Sequence, residues 1–138
     1  MEQNRIEQLD IRLKLFALWL FVLLNIIFRD IHQMTLKSHL EMLLTGYFNG
    51  MKVTDTIMLF GAIIVNIPIS MLLVVVLTRR RLARILNITA AVILTLSFFT
   101  VAPTDLDDIF HLTVELMAIS TIVRTSLNWK EVPKSSNI

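Results

Sequence analysis

Four apolar runs within 138 residues restrict this chain more than any other feature of its sequence. The second run, residues 57–77, contains no charged side chain. A helix rises about 1.5 Å per residue, so about 20 residues cross a hydrocarbon core about 30 Å thick. The sequence therefore predicts an all-α fold, a four-helix transmembrane bundle. The spans are predicted near residues 11–28, 56–78, 84–102 and 108–127.

The composition agrees with a membrane protein and excludes thiol chemistry. Apolar residues make up 55% of the chain and charged residues 17%, whereas about 25% of the residues of a soluble domain are charged. Four spans, one long loop and two short tails account for residues 1–138, so we expect a single integral membrane domain. The absence of cysteine excludes disulfides, thiolate metal ligands and quinone-linked thiol oxidoreductases with four helices.

The distribution of lysine and arginine predicts the orientation of the spans. Of the 13 basic residues, all but Arg29, Lys37 and Lys52 lie on one side of the four predicted spans. The positive-inside rule places that side, with the N- and C-termini, in the cytoplasm.

A cluster of arginines lies between the second and third spans. Its members are Arg79, Arg80, Arg81 and Arg84. The positive-inside rule already accounts for these charges, so no nucleic-acid partner is expected. The lipid bilayer is the expected partner, and the four arginines are candidates for binding anionic lipid headgroups.

The longest loop, residues 29–54, lies on the outer side and is too apolar to be a solvated linker. Ser38 and Glu41 have the spacing of a capping box, and Gly46 is suited to a left-handed helix stop. We therefore predict a short interfacial helix over residues 39–45 in this first outer loop. It either covers the outer end of the bundle as a lid or gates a substrate path.

The second span contains Asn66 and Pro68 among its apolar residues. Pro68 removes one backbone hydrogen bond and frees a carbonyl, which predicts a kink near the middle of the membrane. Asn66 either satisfies that carbonyl or bonds to a neighbouring helix.

The start of the fourth span carries the most distinctive polar pattern. Asp108, His111 and Glu115 have the spacing i, i+3, i+7, which places them on one face of a helix. Glu115 lies one to two turns inside the hydrocarbon, where an unpaired ionised carboxylate is costly, and His111 is its nearest partner in the sequence. Asp30 and His32, at the outer end of the first span, can approach the same end of the bundle.

Three interpretations of this cluster remain open. In the first it is structural, because acids are favoured at a helix N-terminus and the other side chains bond internally. In the second it binds a proton or cation in a transport path. The candidates for this role are Glu115, His111, Asp108, Asp30, His32 and Asn66. In the third it is the metal site of a membrane-embedded enzyme. The candidate metal ligands are His32, Asp108, His111 and Glu115.

Several short motifs resemble a group of small bacterial four-span membrane proteins of unknown function. The motifs are Phe28-Arg29-Asp30-Ile31-His32, Asn66-Ile67-Pro68-Ile69-Ser70, Arg84 with Asn87-Ile88, and the stretch from Pro103 to Glu115. The resemblance covers nearly the whole chain. It implies a multi-pass protein of the bacterial inner (plasma) membrane and assigns no activity to any residue. The architecture is also distantly similar to that of the DoxX-like proteins.

These observations predict a small channel or transporter, a homo-oligomer, with an outward-facing cluster centred on Glu115 and His111. One alternative is a membrane-embedded enzyme that depends on a metal or cofactor bound by the same cluster. Another is a structural or partner subunit of a membrane complex, which needs no functional role for these residues. The sequence contains no nucleotide-binding loop, nucleophile elbow or zinc-protease motif, and it identifies no cofactor.

Overall fold

The computed structural model describes residues 2–48, 50–99, 103 and 105–129. Its helices are α1 (Glu2–Gln33), α2 (Lys37–Leu44), α3 (Asp55–Leu77), α4 (Arg80–Phe98) and α5 (Leu106–Asn128), and its strands are β1 (Tyr47–Phe48) and β2 (Met51–Lys52). The predicted helical fold is confirmed, and each predicted span coincides with most of one long helix. The predicted end of the third span, residues 100–102, lies outside the described residues.

The four long helices pack around a shared apolar core. α1 packs against α3 and α5, and α4 packs against the same two helices. The largest buried apolar side chains include Leu15, Trp19, Val22, Met71, Val75, Leu94, Ile119 and Ile122. We call the end of the bundle where α1 ends and α5 begins the outer end, and the opposite end the inner end.

Three helices are long and apolar enough to cross a membrane: Ile6–Gln33 within α1, together with α3 and α4. They indicate a membrane protein. Their outward faces expose large apolar side chains such as Phe21, Leu59 and Ile93, a surface that suits lipid rather than water. α5 is interrupted near its start by acidic side chains, so its length and composition do not place it among these three.

α2 and a short hairpin connect α1 to α3 at the outer end. α2 begins at Lys37 with Leu36 at its N-cap, so the predicted capping box is wrong: Ser38 lies inside the first turn, and Glu41 pairs with Lys37 at 3.5 Å. Gly46 has φ 77°, which confirms the predicted left-handed stop. The chain then forms the antiparallel pair β1–β2, which the sequence analysis did not predict.

α3 continues through Pro68 from Asp55 to Leu77. Thr54 caps its N-terminus by accepting a hydrogen bond from the Ile57 amide at 3.4 Å. The Pro68 side chain is buried in the bundle, whereas Asn66 is exposed. The structure therefore turns Asn66 away from the core of the bundle.

Candidate functional site

The start of α5 directs a row of polar side chains toward α1. Asp105 caps the helix by accepting a hydrogen bond from the Asp108 amide at 2.8 Å. Acids in a first helical turn are stabilised by the positive end of the helix dipole. Asp108, His111 and Glu115 each contact a side chain of α1, which confirms that they share one helix face.

Glu115 forms an ion pair with Arg29 of α1. Its Oε2 lies 3.3 Å from the Arg29 Nη1, and its side chain is 0% exposed while that of Arg29 is 22% exposed. Removing an ionised carboxylate from water costs several kcal/mol, and a nearby group of opposite charge can offset that cost. The sequence analysis named His111 as the nearest partner of Glu115, but the compensating charge comes from Arg29.

The second carboxylate oxygen of Glu115 has a different environment. Among the described residues, no donor makes a hydrogen bond to the buried Oε1. The Arg29 guanidinium extends toward the ring of Phe98 on α4, with 6.0 Å between Cζ and the ring centroid. Because buried polar atoms are normally hydrogen-bonded, Oε1 is a position where a proton or a water molecule would be stabilised.

His111 connects this buried position to the surface. Its Nδ1 lies 2.8 Å from the Asn25 Oδ1, and the Asn25 amide donates to the His111 carbonyl at 3.1 Å. Its Nε2 lies 3.7 Å from one oxygen of Asp107, whose other oxygen lies 3.4 Å from the His32 Nδ1. The His111 side chain is 14% exposed and that of His32 is 58% exposed, so the polar contacts lead from the interior to the outer surface.

Two further side chains complete the outer cluster, which we define as Asn25, Arg29, Asp30, His32, Gln33, Asp107, Asp108, His111 and Glu115. Gln33 donates a hydrogen bond to the buried Asp108. Asp30 is about half exposed and lies 3.9 Å from the Arg29 Nε. Of the predicted proton- or cation-binding residues, only Asn66, on the exposed surface of α3, lies outside these contacts.

The predicted metal ligands do not converge on one point. Asp108 is bonded to Gln33 and Glu115 to Arg29, while His111 faces Asn25. Within the described part of the chain, no group of three or more His, Cys, Asp or Glu side chains is arranged to hold a metal ion. The geometry gives the metal-enzyme interpretation no support.

The inner end is closed around Trp129, whose side chain is 1% exposed. Its indole Nε1 donates to the Gln8 Oε1 at 2.6 Å, and its carbonyl accepts a hydrogen bond from Arg80 of the predicted arginine cluster. Arg12 of α1 lies over the indole ring, with 5.3 Å from its Cζ to the ring centroid. The Arg12 Nη1 also donates to the Val75 carbonyl at 2.5 Å, near the C-terminus of α3.

A single polar pair lies in the described core between the two ends. Trp19 Nε1 donates to the Asn87 Oδ1 at 2.5 Å, and the Asn87 amide donates to the Ala83 carbonyl at 2.7 Å. Both side chains are fully buried. Buried apolar side chains such as Ile26, Leu94 and Ile119 belong to the same core as this pair.

Comparison with known proteins places the chain in a sequence family. Residues 5–135 match DUF6326, which is described as a family of unknown function. No curated protein and no solved structure matches the chain. The matched range includes both ends of the pairing between α1 and α5, so the outer cluster lies entirely within the family region.

Proposed function

This chain belongs to the DUF6326 family, and we propose that it is a small membrane transport protein that binds a proton or cation at Glu115 and His111. The observation that carries the proposal is the environment of Glu115. One of its oxygens is paired with Arg29, and the other is buried without a hydrogen bond among the described residues. An ionisable group at membrane depth, with one oxygen that makes no hydrogen bond, is typical of transport paths.

The polar contacts supply a route to this position from the outer surface. In this proposal a proton taken up at His32 passes along Asp107 to His111. Asn25 holds the imidazole in place, and because its amide does not relay protons, the last step to Glu115 requires a water molecule at the buried Oε1. Protonation of Glu115 neutralises the partner of Arg29, so occupancy of the site changes the attraction between α1 and α5.

The charge of the outer cluster selects the kind of ion. The outer cluster holds four carboxyl groups, those of Asp30, Asp107, Asp108 and Glu115, and one guanidinium, that of Arg29, which contacts Asp30 and Glu115. The excess of negative charge attracts cations and repels anions. A proton or a small cation is therefore the substrate class that fits.

The proposed topology makes α5 the fourth span. Its acidic side chain Glu115 is turned into the bundle, whereas Phe110, Met117 and Leu127 are exposed on its outward face. A helix that places its charged groups inside and its apolar groups outside is suited to lipid. We place both termini in the cytoplasm on the basis of the basic residues, and we expect the 138-residue protomer to assemble as a homo-oligomer.

The test is proton flux into liposomes that contain the purified protein and a trapped pH-sensitive dye. We expect the wild type to carry flux above that of empty liposomes when a potassium gradient and valinomycin set the membrane potential. Glu115→Gln should abolish it, because the amide keeps the shape of the side chain but does not titrate. Parallel assays with sodium and potassium in place of the proton gradient identify the ion.

Glu41→Gln is the matched control, since Glu41 is an exposed acid of α2 on the same side of the bundle. It should leave flux unchanged. Size-exclusion profiles and helical circular dichroism verify that both variants fold. Wild-type flux equal to that of empty liposomes for all three ions, or full activity in Glu115→Gln, would contradict the proposal.

A further inference from the structure

A groove of about 400 Å³ runs between α4 and α5, from Thr95 near the outer end of α4 to Asn128 at the inner end of α5. It is lined by Thr95 of α4 and by side chains of α5 from Ile119 to Asn128. Its volume is within the range of about 300–1,000 Å³ that is usual for ligand sites. The groove is open on the outward surface of the bundle, where the neighbouring apolar side chains are exposed.

The groove is polar at one end and apolar along most of its length. Arg124 is the one charged lining residue, and with Leu127 and Asn128 it lines the end nearest the inner end of the bundle. Val123, Ile119 and the uncharged hydroxyl side chains Ser120 and Thr95 line the part that lies deeper. The Thr95 hydroxyl donates to the Ala91 carbonyl at 2.8 Å, so its donor is already used within α4. A ligand that fits this order has one charged end and an apolar body.

Arg124 supplies the charge at the polar end. It is exposed, and among the described residues it has no hydrogen-bond or ion-pair partner. Arg12, Arg29 and Arg80 differ from it, because each of them is bonded to another part of the bundle. Arg124 is therefore available to an anion that approaches from the lipid side.

A second arginine lies on the same side of α4 as the groove. Arg84 and Thr95 fall on one helical stripe, with Arg84 about three turns closer to the inner end. Both arginines lie at the depth where a phospholipid carries its phosphate if α4 and α5 cross the membrane.

We propose that this groove is a binding site for an anionic phospholipid, with its phosphate at Arg124 and one acyl chain along Val123 and Ile119. The order of charge and apolar surface in the groove matches the order of headgroup and chain in the lipid. This inference rests on the membrane topology proposed above and not on transport, so the two proposals fail independently.

The test is native mass spectrometry of the detergent-solubilised protein titrated with phosphatidylglycerol. Phosphatidylcholine with the same chains is the neutral probe. We expect phosphatidylglycerol to bind more tightly. Arg124→Gln should weaken its binding about fivefold, which corresponds to about 1 kcal/mol for one basic residue near a membrane surface, and leave phosphatidylcholine unaffected.

Two further variants separate the groove from the general surface. Ser120→Phe places a ring in the groove without changing charge and should weaken the binding of both lipids. Lys14→Gln removes an exposed cation of α1, outside the groove and outside the arginine cluster, and should leave both unchanged.

Equal binding of the two lipids by the wild type would overturn the inference. An equal loss in Lys14→Gln and Arg124→Gln would also overturn it, because the attraction would then be spread over the inner surface. If Ser120→Phe instead changed the number of chains in the complex, a second copy of the chain would be the occupant and the lipid site would be wrong.

Discussion

The two ends of the bundle both contain an arginine of α1 that faces α5, but the two arginines have different kinds of partner. At the outer end Arg29 faces the carboxylate of Glu115, which is fully buried. At the inner end Arg12 faces the indole ring of Trp129 and backbone carbonyls of α3. The backbone positions of the two arginines lie about 25 Å apart along the helix axis.

This difference leads us to expect a different response to protons at each end. Carbonyl groups and an indole ring are uncharged at every physiological pH, so we expect the contacts of Arg12 to be independent of pH. The contacts of Arg29 depend on whether Glu115 is ionised, and His111 and His32 lie within the same polar network. Two arginines of one helix thus have neutral partners at the inner end and an ionisable partner at the outer end.

The largest effect expected is that of Arg29→Met. It leaves the Glu115 carboxylate buried without a countercharge, which should lower the free energy of unfolding by about 3–5 kcal/mol at neutral pH. The double variant Arg29→Met/Glu115→Leu should recover most of that loss. Detergent-based unfolding monitored by circular dichroism measures both.

Acidification should reduce the cost of Arg29→Met. In this variant the native state favours the protonated Glu115 more than the unfolded state does, so it binds more protons and gains stability as the pH falls. Lys37→Met, which breaks the exposed pair with Glu41, is the control and should change stability by less than about 0.5 kcal/mol. A loss in Arg29→Met that is the same at all pH values would remove the distinction between the two ends.

A smaller effect is expected for the same substitution at the inner end. Arg12→Met removes hydrogen bonds to the Val75 and Thr78 carbonyls and the contact with Trp129, which together should cost about 1–3 kcal/mol. Because these partners are neutral, the loss should be constant from neutral to mildly acidic pH. The same unfolding assay measures it, and a loss that varies with pH as in Arg29→Met would show that the inner end also titrates.

The smallest effect on stability is expected for Asp107→Asn. Asp107 is 36% exposed and its two histidine contacts are 3.4 and 3.7 Å long, so stability should change by less than about 0.5 kcal/mol. Flux in the liposome assay should nevertheless fall, because the route from His32 to His111 loses its carboxylate. Asp10→Asn is the control: it removes an exposed acid paired with Lys14 at the inner end and should alter neither quantity. Unchanged flux in Asp107→Asn would exclude this route.

The part of the candidate site that lies on α5 was predictable from the sequence, because the spacing of residues within one helix determines which side chains share a face. The i, i+3, i+7 pattern of Asp108, His111 and Glu115 places them on one face of α5, and the structure confirms this. The pattern does not say which helix lies opposite, so Arg29 and Gln33 were missed as partners. His111 was predicted as the partner of Glu115 because it is near in the sequence. In the folded bundle, packing places Arg29 of α1 beside Glu115 instead.

A signal for the missed half is present in α1. Residues separated alternately by four and three positions run along its packed face: Gln8, Arg12, Leu15, Trp19, Val22, Ile26, Arg29 and Gln33. Such a spacing identifies the face that a helix turns toward its neighbours. It places both arginines on the packed side, even though arginine is usually expected at the surface. Extending the apolar stripe through its polar ends would have assigned Arg29 to the interior.

The loop between α1 and α3 shows a different limit. The left-handed Gly46 was predictable because few other residues adopt a positive φ. The capping box was wrong because the helix begins at Lys37, before Ser38. The hairpin β1–β2 was missed although Asn49-Gly50 is a typical hairpin turn sequence, since the helix over residues 39–45 was the only element predicted in this loop.

The continuity of α1 has a mechanical consequence. Glu2–Gln33 is one helix without proline or glycine, so it moves as a stiff rod rather than by bending. It is held near its middle by the bond from Trp19 to Asn87 and on either side of that bond by Arg12 and Arg29. If α1 tilts as one body about the Trp19–Asn87 bond, a movement of Arg29 in one direction is accompanied by a movement of Arg12 in the opposite direction.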